Sequence, residues 1–191
     1  MQIKTYKVYK FDELTLEQQD DAVEKLSDIN VDYTRWDDWI LEDFTIETEE
    51  LGYKNIKCYY SGFCSQGDGA CFTADVNIAD WIKTHKASTR FKKLLTAVKK
   101  GYWANMIITH NYRYHYANST DVAFEGQDDI GDKAYSQLEE MAEWVKEERV
   151  ELGNKLYKEL EHAFFYLTGK DAIIETIRAN DYEFTENGAI A

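Results

Sequence analysis

Apolar and polar positions repeat on two periods along this chain, and the switches between them predict its elements. Thr5-Tyr6-Lys7-Val8-Tyr9 is rich in β-branched and aromatic residues and reads as a first strand. Thr15, with Gln18 three residues on, is a capping-box signature that opens a helix of about 12 residues. Leu16, Ala22, Val23 and Leu26 can line its buried face. Trp36, Trp39, Ile40, Phe44 and Leu51 recur at helical spacing and mark a second helix, stopped at Leu51-Gly52-Tyr53. Ile56 to Tyr60 and Ala70 to Ile78 read as strands on either side of a Gly-rich segment. The basic stretch 87–100 reads as a helix, with Phe91, Leu94, Leu95 and Val98 inward and the lysines outward.

Trp103 to Tyr116 then reads as one long strand, turned by Asn118-Ser119 into Val122-Ala123-Phe124. Residues 132–168 contain one Gly and no Pro, with Leu138, Met141, Val145, Leu152, Leu156, Leu160, Phe164 and Leu167 on a helical stripe. That predicts one helix of ~55 Å or two helices breaking near Gly153. A short helix at 171–179 and an extended piece at Tyr182–Thr185 complete the chain. The short connections favour an antiparallel meander. The expected fold is α+β: an antiparallel sheet of about five strands packed against several helices, including one long C-terminal helix or helix pair. No Pro-rich linker or repeat divides residues 1–191, so the expected organisation is a single globular domain.

Composition narrows the function classes. A content of 44% hydrophobic and 15% aromatic residues in 191 residues supports a folded core. No apolar run reaches the roughly 20 residues that span a bilayer, and the start lacks the apolar stretch of a signal peptide. The expectation is a cytoplasmic protein without membrane contact. Cys58, Cys64 and Cys71 match no CxxC zinc spacing and read as free thiols in a reducing compartment. Net charge is −14, carried by residues 1–52 and 125–161, whereas residues 80–103 hold one acid and seven bases. A field of this sign disfavours direct binding of duplex nucleic acid.

Two segments carry candidate chemistry. Gly62 to Gly69 holds three glycines in eight residues, which permit positive φ and close backbone approach. Ser65, Gln66, Gly67, Asp68 and Gly69 could meet a ligand there, or form an ordinary tight hairpin. The absence of a following Lys-Ser/Thr excludes a P-loop. The second segment is Thr109-His110-Asn111-Tyr112-Arg113-Tyr114-His115-Tyr116. On a regular strand His110, Tyr112 and Tyr114 face one way and Arg113 and His115 the other. That parity argues against a zinc pair, and no third ligand has obvious spacing, so no metal and no cofactor are expected. His110, His115 and Asp68 are the candidate acid–base residues; Tyr112, Arg113, Tyr114 and His115 are candidate ligand contacts.

Four fragments together resemble a family of uncharacterised bacteriophage-encoded proteins: Val8-Tyr9-Lys10-Phe11-Asp12-Glu13-Leu14, the SGFxSQGDGAxF pattern at Ser61–Phe72, Tyr114-His115, and Tyr182–Gly188. The resemblance implies expression in an infected bacterial cytoplasm and an accessory role such as counter-defence. It assigns no catalytic residue. Three functions are consistent with these readings. One is a protein that binds and sequesters a small nucleotide-like ligand, its phosphates met by Arg113 and the lysines near residue 92. Another is an acidic interaction protein that mimics nucleic acid and blocks a basic site on a host protein. The third is a small hydrolase of a signalling nucleotide. The long apolar stripe also leaves a homo-oligomer open.

Overall fold

The computed structural model describes residues 7–32, 35–110 and 113–191, and they divide into two compact units. Residues 1–37 and 161–191 make the first, and residues 38–160 the second. Both rest on the same principle, an apolar helix stripe closed against a strand or another helix. The architecture is α+β, as the pattern of periods indicates.

In the first unit, β1 (Tyr9–Lys10) pairs antiparallel with β6 (Glu183–Phe184). The expected strand at Thr5–Tyr9 is therefore seen only from its last residue, and Thr5 and Tyr6 lie outside the described residues. Helix α1 (Leu16–Lys25) opens on the expected capping box, with Thr15 and Gln18 bonding each other's backbone N–H. Its buried residue is Ala22, but Leu16 is 81% exposed. At the first helical position Leu16 falls on the solvent side, which corrects its place in the stripe. Ala22 joins Phe11, Leu14, Phe184 and two residues of α6 (Lys170–Ala179), Ile173 and Ile177, in one core.

The second unit is built on a four-stranded antiparallel sheet in the order β2-β3-β4-β5. Its strands are β2 (Tyr53–Ser61), β3 (Gly69–Val76), β4 (Ala104–His110) and β5 (Thr120–Gly126). Consecutive strands are neighbours, the meander that short connections favour. Helix α2 (Asp38–Glu50) buries Ile40 and Phe44, and Phe44 meets Phe72 of β3 edge-on at 5.3 Å. Between β3 and β4 the chain forms α3 (Ile78–Thr84), whose first residue is the last of the expected strand Ala70–Ile78 and whose remainder the pattern leaves unassigned, and then α4 (Lys92–Lys99). Helix α3 is anchored by Asn77, whose side chain caps it, and by buried Trp81 and Ile82.

Helix α5 (Asp132–Leu167) is continuous for 36 residues, so the stripe is one helix and not two. Gly153 lies within it without a break. Leu138, Met141, Val145, Leu156 and Leu160 are each fully buried. No helix among the described residues is long and apolar enough to cross a membrane.

Candidate functional site

The second unit's sheet is incomplete in one place, and that gap creates a site. β3 and β4 pair only at Ala74↔Ile108 and Asp75↔Ile107, although each strand continues beyond those residues. The far end of β4 is therefore unzipped from β3. A short 3-10 turn at Ala117–Ser119 packs beside β3. Gly69 makes the approach feasible: a Cβ there would lie 2.6 Å from Tyr116 Cα and 3.4 Å from the His115 carbonyl oxygen. Only a residue without a side chain lets the two backbones come this close.

The strand reading of Trp103–Tyr116 is corrected here. β4 ends at His110, so strand parity stops applying one residue past Thr109. The chain comes back and sets the two imidazoles side by side, with His115 Nδ1 3.3 Å from His110 Nε2. Tyr59 of β2 stacks on both rings, at 5.0 Å from His110 and 5.7 Å from His115. Tyr59 stands opposite Cys71 in the β2–β3 ladder, and cross-strand partners share a face. Cys71 is accordingly brought into the group: it, His110 and His115 each offer one donor atom, all within 4.8 Å of one another.

The environment of these three groups is specific. Cys71 is 1% exposed, and Ser119 Oγ donates to its sulfur at 3.5 Å. Burial pushes the Cys71 thiol up, while the Ser119 hydroxyl and the Arg149 guanidinium pull it partly back. His115 is pushed down by burial, with the neighbouring His110 adding to the effect. The His110 Nε2 also lies 3.0 Å from the Tyr114 carbonyl oxygen. A carbonyl can only accept, so that nitrogen carries the proton and His115 Nδ1 is free to accept from it as well. On α5, Arg149 donates from Nη1 to the Ala117 carbonyl at 2.8 Å and to Thr120 Oγ1 at 2.9 Å. Its Nε is buried with no hydrogen-bond partner. Burial lowers the Arg149 pKa, and the charge of Asp121 works against that.

The Gly-rich turn has a different job. Asp68 Oδ2 accepts from the backbone N–H groups of Cys64 at 3.0 Å and Ser65 at 2.6 Å. Gly67 takes φ +97°, a conformation that suits Gly in a tight turn. Asp68 thus closes its own loop, the hairpin alternative of the sequence reading, while Ser65 and Gln66 are exposed on the outside of that loop. Arg113 and Tyr114 are exposed, and Tyr112 lies outside the described residues. Of the expected site residues, the structure brings together His110, His115 and, through its backbone, Gly69. Cys71, Tyr59, Ser119 and Arg149 join them without having been singled out for a site. The Tyr59-Cys71 pairing follows from hairpin register, but no sequence spacing announces the rest.

These residues fall in the part of the chain that a family model matches, residues 36–170. The chain belongs to that family, described as a domain of unknown function (DUF8835). The match spans the second unit's sheet and all three candidate ligands. No curated protein and no solved structure matches the chain.

Proposed function

We propose that this domain binds a single transition-metal ion of the Zn²⁺ class through Cys71, His110 and His115. The observation that carries the reading is the convergence of one sulfur and two imidazoles within 4.8 Å. Two zinc–nitrogen bonds of about 2.0–2.1 Å at the tetrahedral angle hold their nitrogens about 3.4 Å apart. The 3.3 Å between His115 Nδ1 and His110 Nε2 is already that spacing. Thiolate and imidazole are ligands for Zn²⁺ and its soft neighbours rather than for Ca²⁺ or Mg²⁺. Binding releases the Cys71 thiol proton and needs His110 to carry its proton on Nδ1 in place of Nε2, so uptake releases the thiol proton and weakens as pH falls. Three protein ligands leave a fourth position for water or a small ligand, the arrangement that catalytic zinc sites use.

Titration of chelator-treated protein with Co²⁺ tests this, because a thiolate ligand gives cobalt a sulfur-to-metal charge-transfer band. One equivalent should bind. Cys71→Ser should abolish the band, and His110→Ala or His115→Ala should each weaken uptake on the order of 100-fold. Unchanged Co²⁺ affinity in the double histidine variant would overturn the reading.

A further inference from the structure

At the other end of β4 the second unit carries a cavity of ≈ 440 Å³ lined by Lys93 of α4, Lys100 at the C-terminal cap of that helix, Lys133 of α5, and Thr96, Tyr102 and Asp132 among others. The gathering of three lysines around one concavity is the feature that matters. In a chain with 36 acidic and 22 basic residues carboxylates are in excess, and several lysines are paired with one. Lys10 meets Asp181, Lys146 meets Glu143, Lys155 meets Glu47 and Lys170 meets Asp20. Among the described residues Lys93, Lys100 and Lys133 form no ion pair, and one carboxylate, that of Asp132, shares their cavity. Like charges gathered around a concavity repel, and an anion seated between them relieves that repulsion.

We infer that this cavity binds a small phosphate-bearing ligand, with the three ammonium groups on its phosphates and Tyr102 beside its organic part. Several converging cations in one cleft suit a polyphosphate better than a single carboxylate, because the ligand's charge is spread over several oxygens. The Tyr102 ring offers a flat apolar face on which a base can stack. The overall charge of −14 opposes anion binding, so binding here depends on the local cluster and not on the protein's general field. The inference stands independently of the metal site, since it uses none of that site's residues.

Calorimetric titration with tripolyphosphate, ATP and adenosine separates the contributions. Tripolyphosphate and ATP should both bind and adenosine should not, with affinity falling as salt rises. The pair Lys93→Ala/Lys100→Ala should weaken both ligands by about tenfold or more, a loss typical of removing charge-assisted bonds. The pair Lys54→Ala/Lys57→Ala, an equal charge change on β2, should leave them unaltered, and so should Cys71→Ser. ATP binding with no tripolyphosphate binding would overturn the phosphate assignment. Equal loss in Lys54→Ala/Lys57→Ala would reduce it to bulk electrostatics and overturn the cavity. Absence of heat for both anions at millimolar concentration would overturn the inference outright.

Discussion

At the scale of single residues, the candidate chemistry and the turn chemistry separate cleanly. Asp68 holds two amides of its own loop, so Asp68→Ala should destabilise the second unit by about 0.5–2 kcal/mol and leave Co²⁺ affinity unaltered. Urea melts paired with metal titration check both halves; lost metal affinity with intact stability would contradict the assignment. Gly69 is more demanding. A methyl group at 2.6 Å from Tyr116 Cα must push the returning segment away, so Gly69→Ala should cost about 1–3 kcal/mol and loosen His115 as well. Glu148 was not distinguished from the other acids of its helix by its neighbours in sequence. In the fold it accepts from Tyr53 Oη at 2.5 Å, from Trp81 Nε1 at 2.8 Å and contacts His85 Nε2 at 2.6 Å. Burial, then the charge of Glu148, raises the Tyr53 phenol far above its usual range. Glu148→Ala would strand these groups together and should cost about 3–5 kcal/mol by chemical denaturation. Glu148→Gln keeps an acceptor and should recover part of that.

Elements were legible wherever their own periodicity matched their packing. The apolar stripe of α5 is the clearest case, since one apolar face running along a helix of about ten turns leaves little choice of structure. Leu156 is fully buried on that stripe, and Leu156→Ala should lower stability by about 2–5 kcal/mol. A midpoint shift in urea at unchanged slope would register it; a shift within about 0.5 kcal/mol would place the stripe on the surface instead. The end of β4 shows the opposite case. Thr109 to Tyr116 has the aromatic and β-branched content of a strand, yet pairing stops at His110↔Thr120. Propensity rewards an extended backbone, but it cannot say whether a partner strand is present to complete the ladder. Helix α3 was hidden for a related reason: Val76-Asn77-Ile78 continues the apolar run of β3, and only the Asn77 cap marks the change.

At the scale of the whole molecule, the thiols and the pH response report on how deeply the site is set. Cys58, Cys64 and Cys71 are free, and they differ in access. Cys64 is exposed, Cys58 has its thiol pushed up to about 11 by burial, and Cys71 is buried. Denatured protein should therefore show three reactive thiols, while in the native state Cys64 should react first and Cys71 last. The pH response has a definite sign. The folded state holds His115 below its ordinary value of 6.5, so the unfolded chain binds that proton more readily. Its contribution to stability is complete above pH 6.5 and is lost as pH falls through the lower folded value. In metal-free protein the melting temperature should fall over that window, and His115→Gln should flatten the fall. The α+β class, the apolar helical stripe of residues 132–168 and the meander were legible in the sequence by itself. These depend on periods and turn residues that act over a few positions. Tertiary structure alone decided that β3 and β4 would part, that Cys71 would meet two histidines from a segment some forty residues away, and that Lys133 would share a cavity with Lys93 and Lys100. Such convergences are set by sheet register and by which backbones can touch, and both are properties of distant segments packed together that no local window of residues encodes.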